Sequence, residues 1–169
     1  MPSIFICYSH EDKAWRDRLV KFLKPLNNEE QIIWSDQDIQ PGDMWDEEIK
    51  DKLSKATLAI VLISQDLLNS NYVSNEELPR LLKRRKEEGV RIIPIFVRPS
   101  TVKDVDFKYT NNEGIEQKFY LSQFQSFKNN SPDSPLSDLL EESQSKLEKV
   151  LSSFAQELRS LIDETKKKR

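Results

Sequence analysis

The chain has 169 residues, of which 37% are hydrophobic and 33% are charged, and it carries a formal net charge of −3 at pH 7. This length supports one globular core but not two, so we predict one domain over residues 1–165, followed by a basic tail or the start of a linker over residues 166–169. The slightly acidic balance excludes a general electrostatic attraction to nucleic acid, and we expect no nucleic-acid partner.

One cysteine and one histidine limit the chemistry of the chain. Cys7 lies in an apolar run typical of a core strand and has no partner for an internal disulfide, while His10 alone cannot build a His-rich metal site. We therefore expect no metal and no cofactor, and any catalysis must rest on carboxylates and hydroxyls. No apolar run approaches the roughly 18 residues of a membrane span, so we expect a cytoplasmic protein with no membrane partner.

Strand and helix patterns alternate along the first part of the chain. Residues 4–7 predict a buried strand, and the helix that follows begins at Ser9 and Asp12, which are spaced like a capping box. A short strand over residues 32–34 comes next. After a loop with Pro and Gly, a second helix begins near Trp45.

The clearest strand is the continuous apolar run LAIVLI over residues 58–63, which is typical of a central strand buried on both faces. A helix over residues 74–88 and a fourth strand over residues 91–97 follow, although Pro94 is unusual within a central strand. The polar stretch after it holds one weak strand candidate near residues 119–124. Apolar positions at helical spacing then mark a long final helix.

These elements predict an α/β fold, a single doubly wound (flavodoxin-like) parallel sheet of about five strands with helices on both faces. Ligands of such sheets bind outside the carboxyl ends of the strands, where the strand order reverses. In a flavodoxin-like order, the loops over residues 8–12 and 64–72 are neighbours and would line one cleft. The three glycines form neither a GxGxxG fingerprint nor a P-loop, and Ser64 stands where a response-regulator receiver needs its phosphoacceptor Asp.

Three segments carry a family resemblance: IFICYSHEDK over residues 4–13, IIWSDQDIQPGDMW over residues 32–45 and LLNSNYVSNEEL over residues 67–78. The first two resemble the signature boxes of the Toll/interleukin-1 receptor (TIR) domain family. The third resembles the segment with the glutamate that many TIR domains use to cleave NAD. The W-x-D-x-x-I-x-P-G-x-x-W and S-x-Y-x-x-x-x-E-L-P patterns are closest to bacterial TIR domains.

This resemblance implies an NAD glycohydrolase that cleaves the nicotinamide–ribose bond of NAD to linear or cyclic ADP-ribose products. Such an enzyme is activated by self-assembly and works in immune or anti-phage defence signalling. NAD would be its substrate and other TIR domains its partners. The alternative from a different class is a non-catalytic TIR scaffold that mediates homotypic protein assembly.

Two adjacent glutamates are candidates for the catalytic position implied by the resemblance. Glu76 lies four residues after Tyr72 and Glu77 lies five after it, and the following Leu78 favours Glu77. A structural alternative stays open, because Ser74 and Glu77 also have the spacing of a capping box. We expect the nearby proline to kink the helix or delay its start, in a way that presents the carboxylate.

The resemblance also implies a substrate pocket and an assembly loop. The expected pocket residues are Tyr8, Ser9, His10, Ser64 and Tyr72. Ser9 is equally suited to capping its helix, and an aromatic residue before a helix is often a packing anchor. The expected assembly loop runs from the second strand to the second helix, and its candidate residues are Trp34, Asp36, Pro41, Gly42 and Trp45. Both tryptophans suit a core position at least as well as a contact position.

Overall fold

The computed structural model describes residues 2–27, 32–36, 39 and 41–167, with side chains as far as residue 164. Four parallel strands form the central sheet in the order β2-β1-β3-β4, which is a flavodoxin-like order. They are β1 (Ile4–Cys7), β2 (Ile33–Trp34), β3 (Leu58–Ile63) and β4 (Arg91–Phe96). A separate antiparallel hairpin pairs β5 (Asp106–Thr110) with β6 (Glu116–Tyr120).

Helices connect the strands and cover the sheet. They are α1 (Lys13–Leu23), α2 (Trp45–Lys55), α3 (Gln65–Leu68), α4 (Leu78–Glu88), α5 (Leu136–Glu142) and α6 (Gln144–Lys167). A 3-10 turn, His10–Asp12, leads into α1, and a π-helical turn, Val73–Glu77, leads into α4. Within the described residues, no helix is long and apolar enough to cross a membrane. The side chains of the predicted tail over residues 166–169 lie outside the described part of the chain.

The core has two layers because side chains alternate along each strand. Phe5 and Cys7 of β1 face a cluster built with α2, α4 and the hairpin. Ile4 and Ile6 face the opposite cluster, which α1 and α6 complete. All six residues of β3 are buried, as the uninterrupted apolar run predicts for a strand covered on both faces.

The strand order places the predicted ligand loops next to each other. Cys7 at the end of β1 pairs with Val61 of β3 in parallel register. Because both strands end at the same edge of the sheet, the loops that follow them are neighbours, and the strand order reverses beside β1. The predicted fold class is therefore confirmed, with four strands in the described sheet where about five were expected.

The edge position of β4 explains Pro94 and the weak strand candidate. Arg91 donates its N–H to the carbonyl of Thr57, the residue before β3, and Val97 donates to the carbonyl of Ile63 at the end of β3. Pro94 has the opposite parity along the strand, so its backbone nitrogen faces away from β3 and needs no partner. Outside β4, the side chain of Asn130 bonds the N–H and C=O of Phe96 at 2.7 and 3.0 Å, in the place of a further strand. The candidate near residues 119–124 instead ends the hairpin and enters a 3-10 turn.

The two predicted capping boxes differ from the structure. Ser9 does cap the first turn, since its hydroxyl accepts the N–H of Glu11 at 3.3 Å, but the Asp12 carboxylate is buried and bonds elsewhere. The alternative in which Ser74 and Glu77 form a capping box is not found, because Ser74 already lies inside the π turn and donates its N–H to the carbonyl of Ser70. Glu77 is thereby free of a capping role.

Candidate functional site

A cleft of about 440 Å³ opens at the carboxyl end of β1, where the strand order reverses. Loops after β1 and β2, the start of α2 and the π turn before α4 build it. Its lining residues are Ile6, Tyr8, His10, Asp36, Ile39, Trp45, Ile49, Tyr72 and Glu77. Aliphatic and aromatic surface dominates this lining, and a small number of polar groups converge on it, which is the usual composition of a small-molecule site.

Glu77 is the more buried of the two carboxylate residues that line the cleft. The residue is only 7% exposed, and its Oε2 lies 3.6 Å from the Sγ of Cys7. Burial raises the pKa of Glu77 to about 7, because removing water disfavours the charged form. The thiol hydrogen bond opposes this shift, and the negative charge of Asp36 adds to it.

The thiol of Cys7 is a weak donor, and it is the hydrogen-bond partner that the described residues supply to Glu77. A buried carboxylate normally has several strong donors, and one without them is unstable in its charged form. Glu77 is therefore suited to accept hydrogen bonds or a positive charge from a ligand in the cleft. Cys7 is buried as the sequence predicts, but its contact with Glu77 has no signal in the sequence.

Glu76 has a different environment from its neighbour. Its side chain is 38% exposed and points to Arg80, with Oε2 3.4 Å from Nη2, and to Lys50, with a distance of 3.9 Å. It does not line the cleft. Of the two glutamates that the sequence leaves as candidates, the structure brings Glu77 into the cleft and leaves Glu76 in surface ion pairs.

The π turn that positions Glu77 has a local cause. Leu78 donates its N–H to the carbonyl of Val73, five residues back, so the turn holds one residue more than an α-helix. Pro79 has no N–H to donate, and in a regular α-helix its ring would clash with the carbonyl of Asn75. The wide turn relieves that conflict and presents the Glu77 side chain toward β1.

Asp36 supplies a second carboxylate to the same cleft. It accepts the hydroxyl of Tyr8 through Oδ1, and its Oδ2 lies 3.6 Å from Nδ1 of His10. These contacts join the loop after β2 to the loop after β1. The sequence assigns Asp36 to an assembly loop and Tyr8 and His10 to a pocket, and the structure brings all three to one wall of the cleft.

Tyr72 and Trp45 form an aromatic wall opposite. Their ring centroids are 5.2 Å apart, and the Tyr72 hydroxyl donates to Oδ1 of Asp46 at 2.7 Å. Burial, followed by this bond, raises the pKa of Tyr72 above its usual range. Trp45 is 56% exposed, so its ring lies at the mouth of the cleft rather than in the core.

Other predicted site residues lie outside the cleft lining. Ser9 caps the first turn, and Ser64 is fully buried beneath the loops, where it accepts the N–H of Leu67 at 3.2 Å. Trp34 is a core residue stacked on Phe5 at 5.4 Å. Pro41 and Gly42 form a turn in which Gly42 has φ of +94°, a value that favours glycine. Residues 37, 38 and 40 of the predicted assembly loop lie outside the described residues.

An ionic network centred on the buried Asp12 has no counterpart among the sequence-based predictions. Asp12 is fully buried, and Arg98 donates to its Oδ1 from Nε and Nη2 at 2.9 and 2.6 Å. Ser64 donates to the other oxygen of Asp12, and Arg98 also pairs with Asp66. These contacts tie together the segments after β1, β3 and β4. Asp12, Asp66 and Arg98 each lie a few residues beyond the end of a buried strand, and that placement is the signal that would have suggested these contacts. Among the described residues, no group of three or more His, Cys, Asp or Glu side chains could hold a metal ion.

Comparison with known proteins identifies related sequences. A family profile described as TIR domain matches residues 4–128. The uncharacterized protein y4lF of Sinorhizobium fredii is 33% identical over 99 residues, covering 58% of this chain and 31% of that protein. The disease resistance protein RPS6 of Arabidopsis thaliana is 32% identical over 93 residues, covering 55% of this chain and 8% of that protein. The chain therefore spans less than a third of the length of these relatives.

Two solved structures are also similar. The crystal structure of the TIR domain of the Toll-related receptor TRR-2 from Hydra magnipapillata has a TM-score of 0.45 and 26% identity, covering 60% of this chain and 75% of that one. The TIR domains of the activated Roq1 resistosome, which directly recognizes the pathogen effector XopQ, have a TM-score of 0.48 and 19% identity. That match covers 92% of this chain and 84% of that one.

Proposed function

This chain belongs to the TIR domain family, and from that premise we propose that it is an NAD glycohydrolase that cleaves the bond between nicotinamide and ribose. The observation that carries the proposal is the Glu77 carboxylate, buried in an aromatic cleft with a thiol as its described hydrogen-bond partner. The proposed setting is immune signalling, as the name of the plant relative suggests. The proposed compartment is the cytoplasm, consistent with Cys7 being a free thiol.

The reaction needs one well-placed carboxylate. When the bond between C1′ of the ribose and the pyridinium nitrogen breaks, its electron pair goes to the nitrogen and nicotinamide leaves as a neutral molecule, so no general acid is required. The ribose becomes an oxocarbenium-like cation, which Glu77 stabilises electrostatically. Water then adds to C1′ and releases a proton, giving ADP-ribose; attack by a group within the ADP-ribose itself gives a cyclic product. Ordinary glycosidases differ because they need a second carboxyl group as an acid.

The other cleft residues have supporting roles in this proposal. The rings of Tyr72 and Trp45 offer a surface on which nicotinamide can stack. Asp36 and Tyr8 on the opposite wall can bond the ribose hydroxyls. Ser64 and the Asp12–Arg98 pair act indirectly, by fixing the loops that carry the contact residues.

The first experiment compares two isosteric variants, Glu77→Gln and Glu76→Gln. NAD is incubated with the purified chain at high concentration with a crowding agent, and nicotinamide release is measured by chromatography. Loss of a preorganised electrostatic stabiliser lowers turnover by about a hundredfold or more, so we expect that loss in Glu77→Gln only. Glu76→Gln is the matched control, since its carboxylate lies in surface ion pairs. An equal loss in both variants, or a loss in Glu76→Gln alone, would contradict the assignment.

A second candidate function is a non-catalytic scaffold that joins TIR domains. It is favoured by Met44 and Trp45, large apolar side chains that are 66% and 56% exposed at the end of the predicted assembly loop. Exposed apolar patches of this kind mark interaction surfaces. If light scattering detects assembly of the wild-type chain and no nicotinamide is released, the scaffold is the better description. In that case Glu77 is a buried structural residue.

A further inference from the structure

The described lining of the cleft is acidic. Asp36 and Glu77 are its carboxylates, and neither lysine nor arginine is among the described residues that line it. The sequence from residue 36 to residue 48 holds six acidic residues and no basic one. The nearby Lys50 is already engaged, with Nζ 2.8 Å from Asp46 and 3.9 Å from Glu76. Among the described lining residues, His10 is the side chain that can carry a positive charge, and its Nδ1 already lies 3.6 Å from Oδ2 of Asp36, so the diphosphate of a dinucleotide has no lysine or arginine partner there.

A positively charged ligand, in contrast, would find favourable contacts on more than one side of the cleft. Glu77 is nine-tenths buried and accepts only a weak thiol bond within the described structure, so a cation beside it would compensate its charge. The rings of Tyr72 and Trp45 present aromatic faces, which attract cations. An aromatic cleft of about 440 Å³ is large enough for a pyridinium ring with its ribose.

We infer that this cleft selects the N-ribosylpyridinium cation itself and requires no phosphate, so that nicotinamide riboside and related pyridinium nucleosides are ligands of the same site. This inference rests on the proposed function for the identity of the site, and it deepens it by naming the recognised part of the substrate. NAD would then enter with its nicotinamide riboside half in the cleft and its diphosphate outside. Where the site is catalytic, nicotinamide riboside and water give nicotinamide, ribose and a proton.

The test compares two ligands that differ in charge. Nicotinamide riboside carries the pyridinium charge, and its 1,4-dihydro form has the same substituents but is neutral. Isothermal titration calorimetry of the full chain at pH 8 and low salt measures both affinities. We expect the cation to bind at least about tenfold more tightly, because a buried carboxylate and aromatic faces both favour it. Equal affinities, or tighter binding of the neutral form, would overturn the inference.

Four variants show where the preference originates. Asp36→Asn and Glu77→Gln each remove one carboxylate of the cleft and should each reduce the preference for the cation several-fold. Tyr8→Phe removes the hydrogen bond to Asp36 but keeps the charge of Asp36. Both ligands should then bind more weakly while the ratio of their affinities stays that of wild type, which separates loss of charge from loosening of the loop. Asp51→Asn neutralises a carboxylate that pairs with Lys55 outside the cleft, and should behave as wild type. A preference that is unchanged in Asp36→Asn and Glu77→Gln alike would overturn the inference.

Nicotinamide release from NAD, measured in parallel, separates this inference from the proposed function. If NAD is cleaved but millimolar nicotinamide riboside does not bind, the inference fails and the hydrolase proposal stands. If the cation is preferred but NAD is not cleaved, the inference stands as a binding property and the hydrolase proposal fails.

Discussion

Burial favours the neutral, protonated form of the Glu77 carboxyl. Its carboxyl lies against Cys7 and the cleft wall, and burial raises its pKa to about 7 from an ordinary 4.5. Between these two values the folded chain binds more protons than the unfolded chain does. The contribution of Glu77 to the free energy of unfolding is therefore complete at low pH and is lost as the pH rises through 7.

Replacing Glu77 should stabilise the fold in alkaline solution. At pH 8 the charged form is buried without strong donors, which costs roughly 3 kcal/mol on the basis of its pKa. Glu77→Gln removes that cost, so we expect its free energy of unfolding in urea to exceed that of wild type by about 2 to 3 kcal/mol at pH 8. The two should be nearly equal at pH 4.5. Glu76→Gln serves as the control and should change little at either pH, since surface ion pairs contribute little. A difference for Glu77→Gln that does not vary with pH would show that this charge is not the cause.

The choice between adjacent glutamates shows a limit of residue spacing as a predictor. Successive residues of a helix point about 100° apart, so a shift of one position exchanges a buried side chain for an exposed one. Both glutamates lie between Tyr72 and Leu78, and only the resemblance to the TIR family favours Glu77. The structure separates them because the π turn sets which one faces β1, and that turn has no periodic signal in the sequence.

At the scale of the element, the segment from residue 71 to residue 88 is a helix with one residue inserted. The proline explains the insertion. The sequence predicts that the proline kinks the helix or delays its start, whereas the structure has an earlier start, near residue 71, and a π turn before the proline. The start of the helix was misplaced, because Ser74 and Glu77 have the spacing of a cap. Ser70 instead accepts the N–H of Val73 at 3.3 Å and begins the helix earlier.

Pro79→Ala should uncouple helix stability from activity. Alanine restores an N–H and lets the turn relax toward a regular α-helix, in which the residues before it would rotate by about 100°. We expect helicity by circular dichroism to stay equal or rise, while nicotinamide release falls at least about tenfold as Glu77 leaves the cleft. Pro25→Ala, at an exposed position of a 3-10 turn, is the matched control and should retain activity. Full activity in Pro79→Ala would mean that the π turn does not position Glu77.

At the scale of the molecule, the strand order could be predicted and the covering of the last edge could not. The buried strands can be recognised in the sequence as apolar runs, and their alternation with helices predicts a parallel sheet. The hairpin was missed because β6 is largely exposed and its strands are short and polar. Its signals are the alternation of Phe107 and Tyr109 toward the core and the turn at residues 111–114, where Gly114 has φ of +78°. Neither apolar alternation nor a turn pattern in the sequence indicates that the side chain of Asn130 bonds the backbone of β4 in place of a further strand.

Assembly is the remaining property of the whole molecule that can be tested. Met44 is exposed beside the cleft but does not line it, so Met44→Glu adds charge to the predicted assembly surface without changing the site. If the surface joins copies of the chain, specific activity of wild type should rise steeply with protein concentration, and Met44→Glu should stay at the dilute value of wild type. Light scattering should report the same loss of large species. Ile115→Glu, at another exposed apolar residue in the hairpin, is the matched control and should follow wild type. A flat activity for wild type, or equal behaviour of the two variants, would mean that this loop does not drive assembly.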